Sequence, residues 1–203
     1  MEDYFMNKKY FTISIIAAAV VLLCGITYSS YNKLVLLDEE TSSAWSQVEN
    51  QYQRRYDLIP NLVNTVKGYA KHEESVLREL TEARSKAGGV ISVDSSILDD
   101  PEKMAEFQKV QNELGASLQR LLAVTENYPE LKANQNFLAL QDELEGTENR
   151  ISVERKRFND SVKAYNSTMR RFPMNLLAGM FGFEKKNYFA AEAAAAKAPE
   201  VQF

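Results

Sequence analysis

The chain has 203 residues, 24 of them basic and 28 acidic, for a net charge of −4. A nucleic-acid binder needs a basic excess to neutralise phosphates, and adhesion of a whole domain to anionic lipid needs the same, so this balance disfavours both. The single cysteine, Cys24, excludes an intrachain disulfide, so the fold must be held by core burial.

Phe11 to Tyr28 reads FTISIIAAAVVLLCGITY, without a charge. Eighteen helical residues reach about 27 Å, close to one bilayer hydrocarbon core. Lys8 and Lys9 precede the run; Asp38, Glu39 and Glu40 follow it. By the positive-inside rule the N-terminus is expected in the cytoplasm and the remainder outside. A signal-anchor is the favoured reading. A cleaved signal peptide lacks a clean A-x-A site. A lipoprotein signal would end at Cys24, but the residue before it, Leu23, is not small.

Beyond the run, Leu37, Thr41, Ala44, Val48, Tyr52, Arg55, Ile59, Leu62, Val66, Tyr69, Glu73, Val76, Leu80 and Ala83 recur at spacings of three and four, with Trp45 widening the stripe. This predicts one amphipathic helix. Pro60 removes a backbone donor, yet the stripe keeps phase across it, which predicts a kink rather than a loop. Gly88-Gly89 is expected to end the helix, and residues 88–100 read as a loop.

Asp100-Pro101-Glu102 is a helix start, with an N-cap acid, proline at the first helical position and an acid in the first turn. A second long helix to about Glu126 carries Met104, Phe107, Val110, Leu114, Leu118, Leu121 and Thr125. Asn127-Tyr128-Pro129-Glu130 is a tight connection. A third helix to about Arg171 carries Phe137, Leu140, Leu144, Thr147, Ile151, Phe158, Val162, Tyr165 and Met169. Their alternating spacing suits coiled-coil-like packing, and Phe172-Pro173 stops the helix.

The expected organisation is all-α: a short cytoplasmic N-terminus at 1–10, a transmembrane helix at 11–30, an extracytoplasmic bundle at 31–189, and an alanine-rich tail at 190–203. The bundle is expected to be elongated and antiparallel, of three to four helices, with a kinked first helix.

No active-site constellation emerges. His72 is the sole histidine, and without convergent ligands or a nucleophile motif it reads as a solvated surface residue. Asp142, Glu143, Glu145 and Glu148 cluster without any E-x-x-H, so a carboxylate-bridged metal bundle is disfavoured and a charged solvated face is expected. Neither catalytic, cofactor-binding nor metal-binding residues are assigned. The informative feature is apolar: Phe172, Met174, Leu176, Leu177, Met180, Phe181, Phe183, Tyr188 and Phe189 crowd into eighteen residues. They could fold back over the core, form a partner or subunit interface, or lie in a membrane surface. Lys185-Lys186 would suit the last two.

Several ordered blocks carry a family resemblance. They are Tyr31-Asn32-Lys33-Leu34-Val35, the run from Arg55 through Pro60 to Val63, Tyr128 to Asn134, Leu140 to Ile151, Arg157-Phe158-Asn159, Tyr165-Asn166, Phe172-Pro173 and Phe181-Gly182-Phe183. Together they resemble the LemA family of bacteria over nearly the whole chain, with Phe158 standing where the family commonly has tyrosine. The resemblance implies a bacterial envelope protein with an N-terminal membrane helix and an extracytoplasmic helical bundle, no enzyme activity and no cofactor. Some family members look like lipoproteins at this terminus, which keeps Cys24 of interest.

Gly146 in a helix interior suggests close approach of another helix. Thr147 is placed to bond back to a carbonyl. The functional expectation is a non-enzymatic, membrane-anchored envelope scaffold or interaction module, homo-oligomeric or bound to an envelope protein. The alternative is a ligand-binding or sensory bundle working through a partner. A location in the bacterial inner membrane follows, single-pass, with the domain in the periplasm or outside the cell.

Overall fold

The computed structural model describes residues 2–70, 72–91 and 95–190. Six α-helices and a 3₁₀ turn account for most of them: α1 (Glu2–Tyr69), α2 (Glu74–Ile91), the 3₁₀ turn (Ser95–Leu98), α3 (Pro101–Thr125), α4 (Pro129–Lys132), α5 (Gln135–Met169) and α6 (Met174–Met180). No strand occurs among the described residues.

The 68 residues of α1 form one helix, on the order of 100 Å long. Its first part holds the apolar run, and among the described residues α1 alone is long and apolar enough to cross a membrane. The run buries nothing within the protein. No break marks residue 30: the same helix continues into the core, where Leu34, Trp45, Val48, Tyr52, Ile59, Leu62 and Val66 are buried. From Trp45 on, this is the predicted stripe, and Leu34 extends it toward the apolar run.

The helix also continues through Pro60. A proline at this position cannot donate to the carbonyl of Tyr56, four residues back. Arg84 of α2 supplies the missing donor, its Nε lying 3.1 Å from the Tyr56 carbonyl oxygen. The same guanidinium stacks 3.8 Å from the centroid of the Tyr56 ring. The far end of that ring meets α2 again at Gly88, where a Cβ would lie 2.7 Å from the tyrosine hydroxyl. Gly88 therefore serves close packing, and α2 passes through Gly88-Gly89 to Ile91. The expectation that the glycine pair ends the helix is corrected.

A second correction concerns the stripe from Leu37 to Ala83. It belongs to two helices, because the chain reverses between Tyr69 and Glu74. Ala70 is fully buried at this corner, and its N–H still bonds to the Val66 carbonyl. The periodicity runs on because both helices turn their apolar faces to the same core.

Helix α3 starts as expected, with the Asp100 side chain accepting from the N–H groups of Glu102 and Lys103. It runs back along α2, where Arg120 pairs with Glu79. At the far end Tyr128 donates to Glu73 over 2.8 Å. Asn134 caps α5 by accepting from the N–H of Phe137 and also donates to the Tyr69 hydroxyl. Helix α5 then returns along α1, with contacts running in order from Tyr69–Asn134 through Arg54–Glu143 to Trp45–Phe158.

Two clusters form the core. The distal one joins Ile59, Leu62 and Val66 of α1 to Leu80 of α2, Leu114 and Leu121 of α3 and Phe137 of α5. The other, nearer the apolar run, joins Trp45, Val48 and Tyr52 to Ile97, Leu98, Phe107, Ile151, Phe158 and Phe189. Ile97 and Leu98 lie in the segment read as loop, yet they are buried. Thr147 is buried and donates to the Glu143 carbonyl over 2.7 Å, as expected. Gly146 admits no helix: a Cβ there would meet only the Arg150 side chain.

The pairing of Arg84 with the carbonyl that Pro60 leaves open is separable by a double-mutant cycle. Arg84→Met should cost about 1–3 kcal/mol in urea unfolding of the full-length protein in detergent, the penalty of a carbonyl left unsatisfied. In a Pro60→Ala background, where residue 60 donates, the cost should shrink toward the loss of the ring contact alone. Equal costs in both backgrounds would refute the coupling.

Candidate interaction surfaces

The structure divides the apolar C-terminal residues into two groups. One folds onto the bundle. After α6 the chain turns at Gly182, whose φ of +74° only glycine adopts without strain. Residues 183–190 then run extended along α5 as a strap. Phe189 at its end is buried beside Trp45 (5.7 Å between ring centroids), Phe158 (5.6 Å) and Phe107 (6.4 Å).

The strap's backbone is held by side-chain amides that mimic a neighbouring strand. Asn166 accepts from the N–H of Lys186 (3.1 Å) and donates to its carbonyl (2.9 Å). Asn159 does the same for Phe189, at 2.9 and 3.2 Å. The spacing follows from elementary geometry. Seven residues of helix advance about 10.5 Å, and three residues of extended chain advance about 10 Å. From α3, Gln108 accepts from the N–H of Ala190 over 3.0 Å. Asn187 donates twice to the Leu98 carbonyl.

Lys186 points inward, contrary to its expected role in a partner or membrane surface. Its ammonium pairs with Asp99 (2.9 Å) and with Asp38 of α1 (3.1 Å) and lies near the Tyr165 ring. Burial opposes its charge, but the two carboxylates outweigh that cost and hold its pKa above the ordinary lysine value. Tyr165 is pushed up as well, first by burial and then by the charges of Asp38, Asp99 and Glu184.

The second group stays exposed. Phe172 is 81% exposed, Leu176 61%, Met180 77% and Phe181 42%. Met174 and Leu177 are half-buried, as is Phe183, while Tyr188 is exposed. Phe181 and Phe183 contact Tyr31 of α1, at 5.1 and 5.8 Å between ring centroids.

A further feature went unread in the sequence. Arg55, placed on the stripe of α1, is 3% exposed. It donates to Glu148 of α5 (2.9 Å) and to the side-chain and backbone oxygens of Gln111 of α3 (2.6 and 3.1 Å). A cleft of about 400 Å³ opens here between α3 and α5, with Tyr52, Gly115, Glu148 and Arg155 among its walls. Of the acidic cluster, Asp142, Glu145 and Glu148 lie on an exposed charged face as expected, and Glu143 and Glu148 also pair with Arg54 and Arg55. His72 is exposed. No grouping of His, Cys, Asp or Glu suited to a metal ion occurs among the described residues.

The profile of the LemA family matches residues 44–203. The chain belongs to the LemA family. Magnetosome proteins MamQ 1 and MamQ 2 of Paramagnetospirillum magneticum are each 28% identical to it over 189 residues, covering 84% of this chain and 68% of theirs. Protein LemA of Metamycoplasma hominis is 25% identical over 162 residues, covering 78% of this chain and 69% of its own. None of these names denotes a catalytic activity. The sequence blocks that carry the LemA resemblance coincide with the geometry above: Arg55 and Pro60 organise α1, and Asn159 and Asn166 hold the strap.

Two predictions test this arrangement. Asn159→Ala with Asn166→Ala removes four hydrogen bonds and should cost about 2–3 kcal/mol. It should also open residues 183–190 to limited proteolysis while the helical circular dichroism persists. The pH dependence has a definite sign. Lys186 and Tyr165 both hold their protons more tightly when folded, so their contribution is complete below the unfolded values of 10.5 and 10.0 and is lost as pH rises through the folded ones. Melting temperature should fall above about pH 10, and Lys186→Met should lower it at pH 8 while flattening that fall.

Proposed function

We propose that this protein is a non-enzymatic, membrane-anchored scaffold or interaction module of the bacterial envelope. The observation that carries the reading is the continuity of α1, which is at once the apolar run and the helix on which the bundle core is built. A mount of this kind joins the bundle directly to the span, with no linker between them. In this reading the N-terminus lies on the cytoplasmic side of the inner membrane, residues 11–30 span it, and the bundle stands in the periplasm or outside the cell, bent where Pro60 interrupts the backbone ladder. Lys8 and Lys9 on one side of the run and the acids after it support that direction. Family membership supports the envelope setting through the resemblance set out above.

The bundle's polar cleft favours one alternative, a ligand-binding module that works through a partner. Arg55 and Arg155 at the cleft suit a small carboxylate, against Glu148 on the same wall.

One preparation separates the two. Full-length protein extracted in mild detergent should elute from size exclusion with light scattering as a homo-oligomer or with a stoichiometric envelope partner. Mass spectrometry of its N-terminal peptide should show Cys24 unmodified and the apolar run retained. A strict monomer at micromolar concentration without a partner would overturn the scaffold reading, and thermal stabilisation of that monomer by a small carboxylate would establish the alternative.

A further inference from the structure

Helix α6 and the turn after it sit where the apolar run ends. Tyr31, which receives Phe181 and Phe183, is three residues past Tyr28, the last residue of the run, about 4.5 Å along the helix axis. Phe181 also lines an apolar groove of about 400 Å³ with Leu23, Cys24, Thr27, Tyr28 and Tyr31. Leu23 lies five residues inside the run, so the groove extends about 7.5 Å below its end. A bilayer covering the run would therefore meet Phe181 at its boundary.

The apolar side chains left exposed here form one face. Leu176 and Met180 are four apart on α6 and point the same way, and the exposed Phe172 lies just before the helix. Opposite them Ala178 is buried. Exposed basic residues flank the face, Arg170 and Arg171 before it and Lys185 after it, against one exposed acid, Glu184. An apolar face continuous with a membrane run and edged by cations matches the boundary between acyl chains and phosphate headgroups.

Resting on the membrane-span reading above, we propose that residues 172–181 form a foot inserted in the leaflet from which the bundle emerges, with phospholipid as its occupant and an acyl chain in the groove between Phe181 and Leu23. The chain thus touches the membrane twice, by α1 and by the foot. Two contacts set the tilt of the bundle, which one helix would leave free to swivel.

Site-directed spin labelling in vesicles of phosphatidylcholine and phosphatidylglycerol tests this on the full-length protein. In a Cys24→Ser background, single labels are placed by Leu176→Cys, Met180→Cys, Val21→Cys in the run, and Val153→Cys on the exposed side of α5. All four positions are at least 48% exposed, and circular dichroism verifies folding of each variant. Collision with oxygen, which partitions into lipid, is compared with collision with a water-soluble nickel chelate. The labels at 176 and 180 should favour oxygen severalfold, as at 21, while 153 favours the chelate. Chelate preference at 176 and 180 with oxygen preference at 21 overturns the foot alone. Chelate preference at 21 overturns the span, and the foot with it.

Discussion

The described fold is organised around a single helix that must not break. Helix α1 carries the apolar run, the aromatic cluster around Trp45 and the distal core around Leu62. A proline near the far end of the helix threatens that continuity, since it opens one carbonyl to whatever can fill it. Arg84 fills it from α2, anchored by the ring of the same tyrosine whose carbonyl it takes. The interruption thus becomes the point where α2 is registered on α1. Gly88 completes the contact by letting the Tyr56 hydroxyl approach the α2 backbone.

The strap solves a different problem. Helix α5 runs along α1, while α3, packed on α2, reaches α1 through Phe107 and Gln111, and a cleft is left between α3 and α5. Toward the apolar run that cleft is closed by an extended segment, because Phe189 fills the space between Phe107 and Phe158. An extended backbone buried against helices has no ladder partner, and its N–H and C=O groups would go unpaired. Asparagines seven apart on α5 remove that cost, since their amides offer one donor and one acceptor each at the repeat of the strap. Lys186 then ties the strap to α1 through Asp38 and to the loop before α3 through Asp99.

The sequence was readable wherever structure is local. The α3 cap, the stripes of α3 and α5 and the apolar run follow from side chains three, four or a few residues apart. The reversal after Tyr69 was hidden because two helices facing one core keep one phase, and Gly68, the only local hint, lies just before it. Gly88 was misread for a related reason: a glycine that ends a helix and one that admits a neighbour look alike until the neighbour is placed. That the C-terminal residues fold back over the core was one open reading, but the strap's course could not be read. FEKKNYFA has no helical period, and Asn159 and Asn166 declare themselves only when residues 20 to 30 positions away lie against them. The crowding of aromatics near the C-terminus was visible, but its division into a buried Phe189 and an exposed α6 face depends on the turn at Gly182.

Arg55 shows how a costly group can still be informative. Burying a guanidinium is a weak source of stability, and an apolar replacement of similar size often does as well. What the arginine supplies here is position. One side chain on α1 reaches Gln111 on α3 through two oxygens and Glu148 on α5 through one, so a shift of either helix by a turn would strand a buried charge. Leucine at the same place would tolerate several registers. The cleft lies directly over this contact, so its shape is set by the residue that also forms its floor. A ligand or partner segment entering there would meet walls whose spacing is already fixed, which lowers the ordering cost of binding.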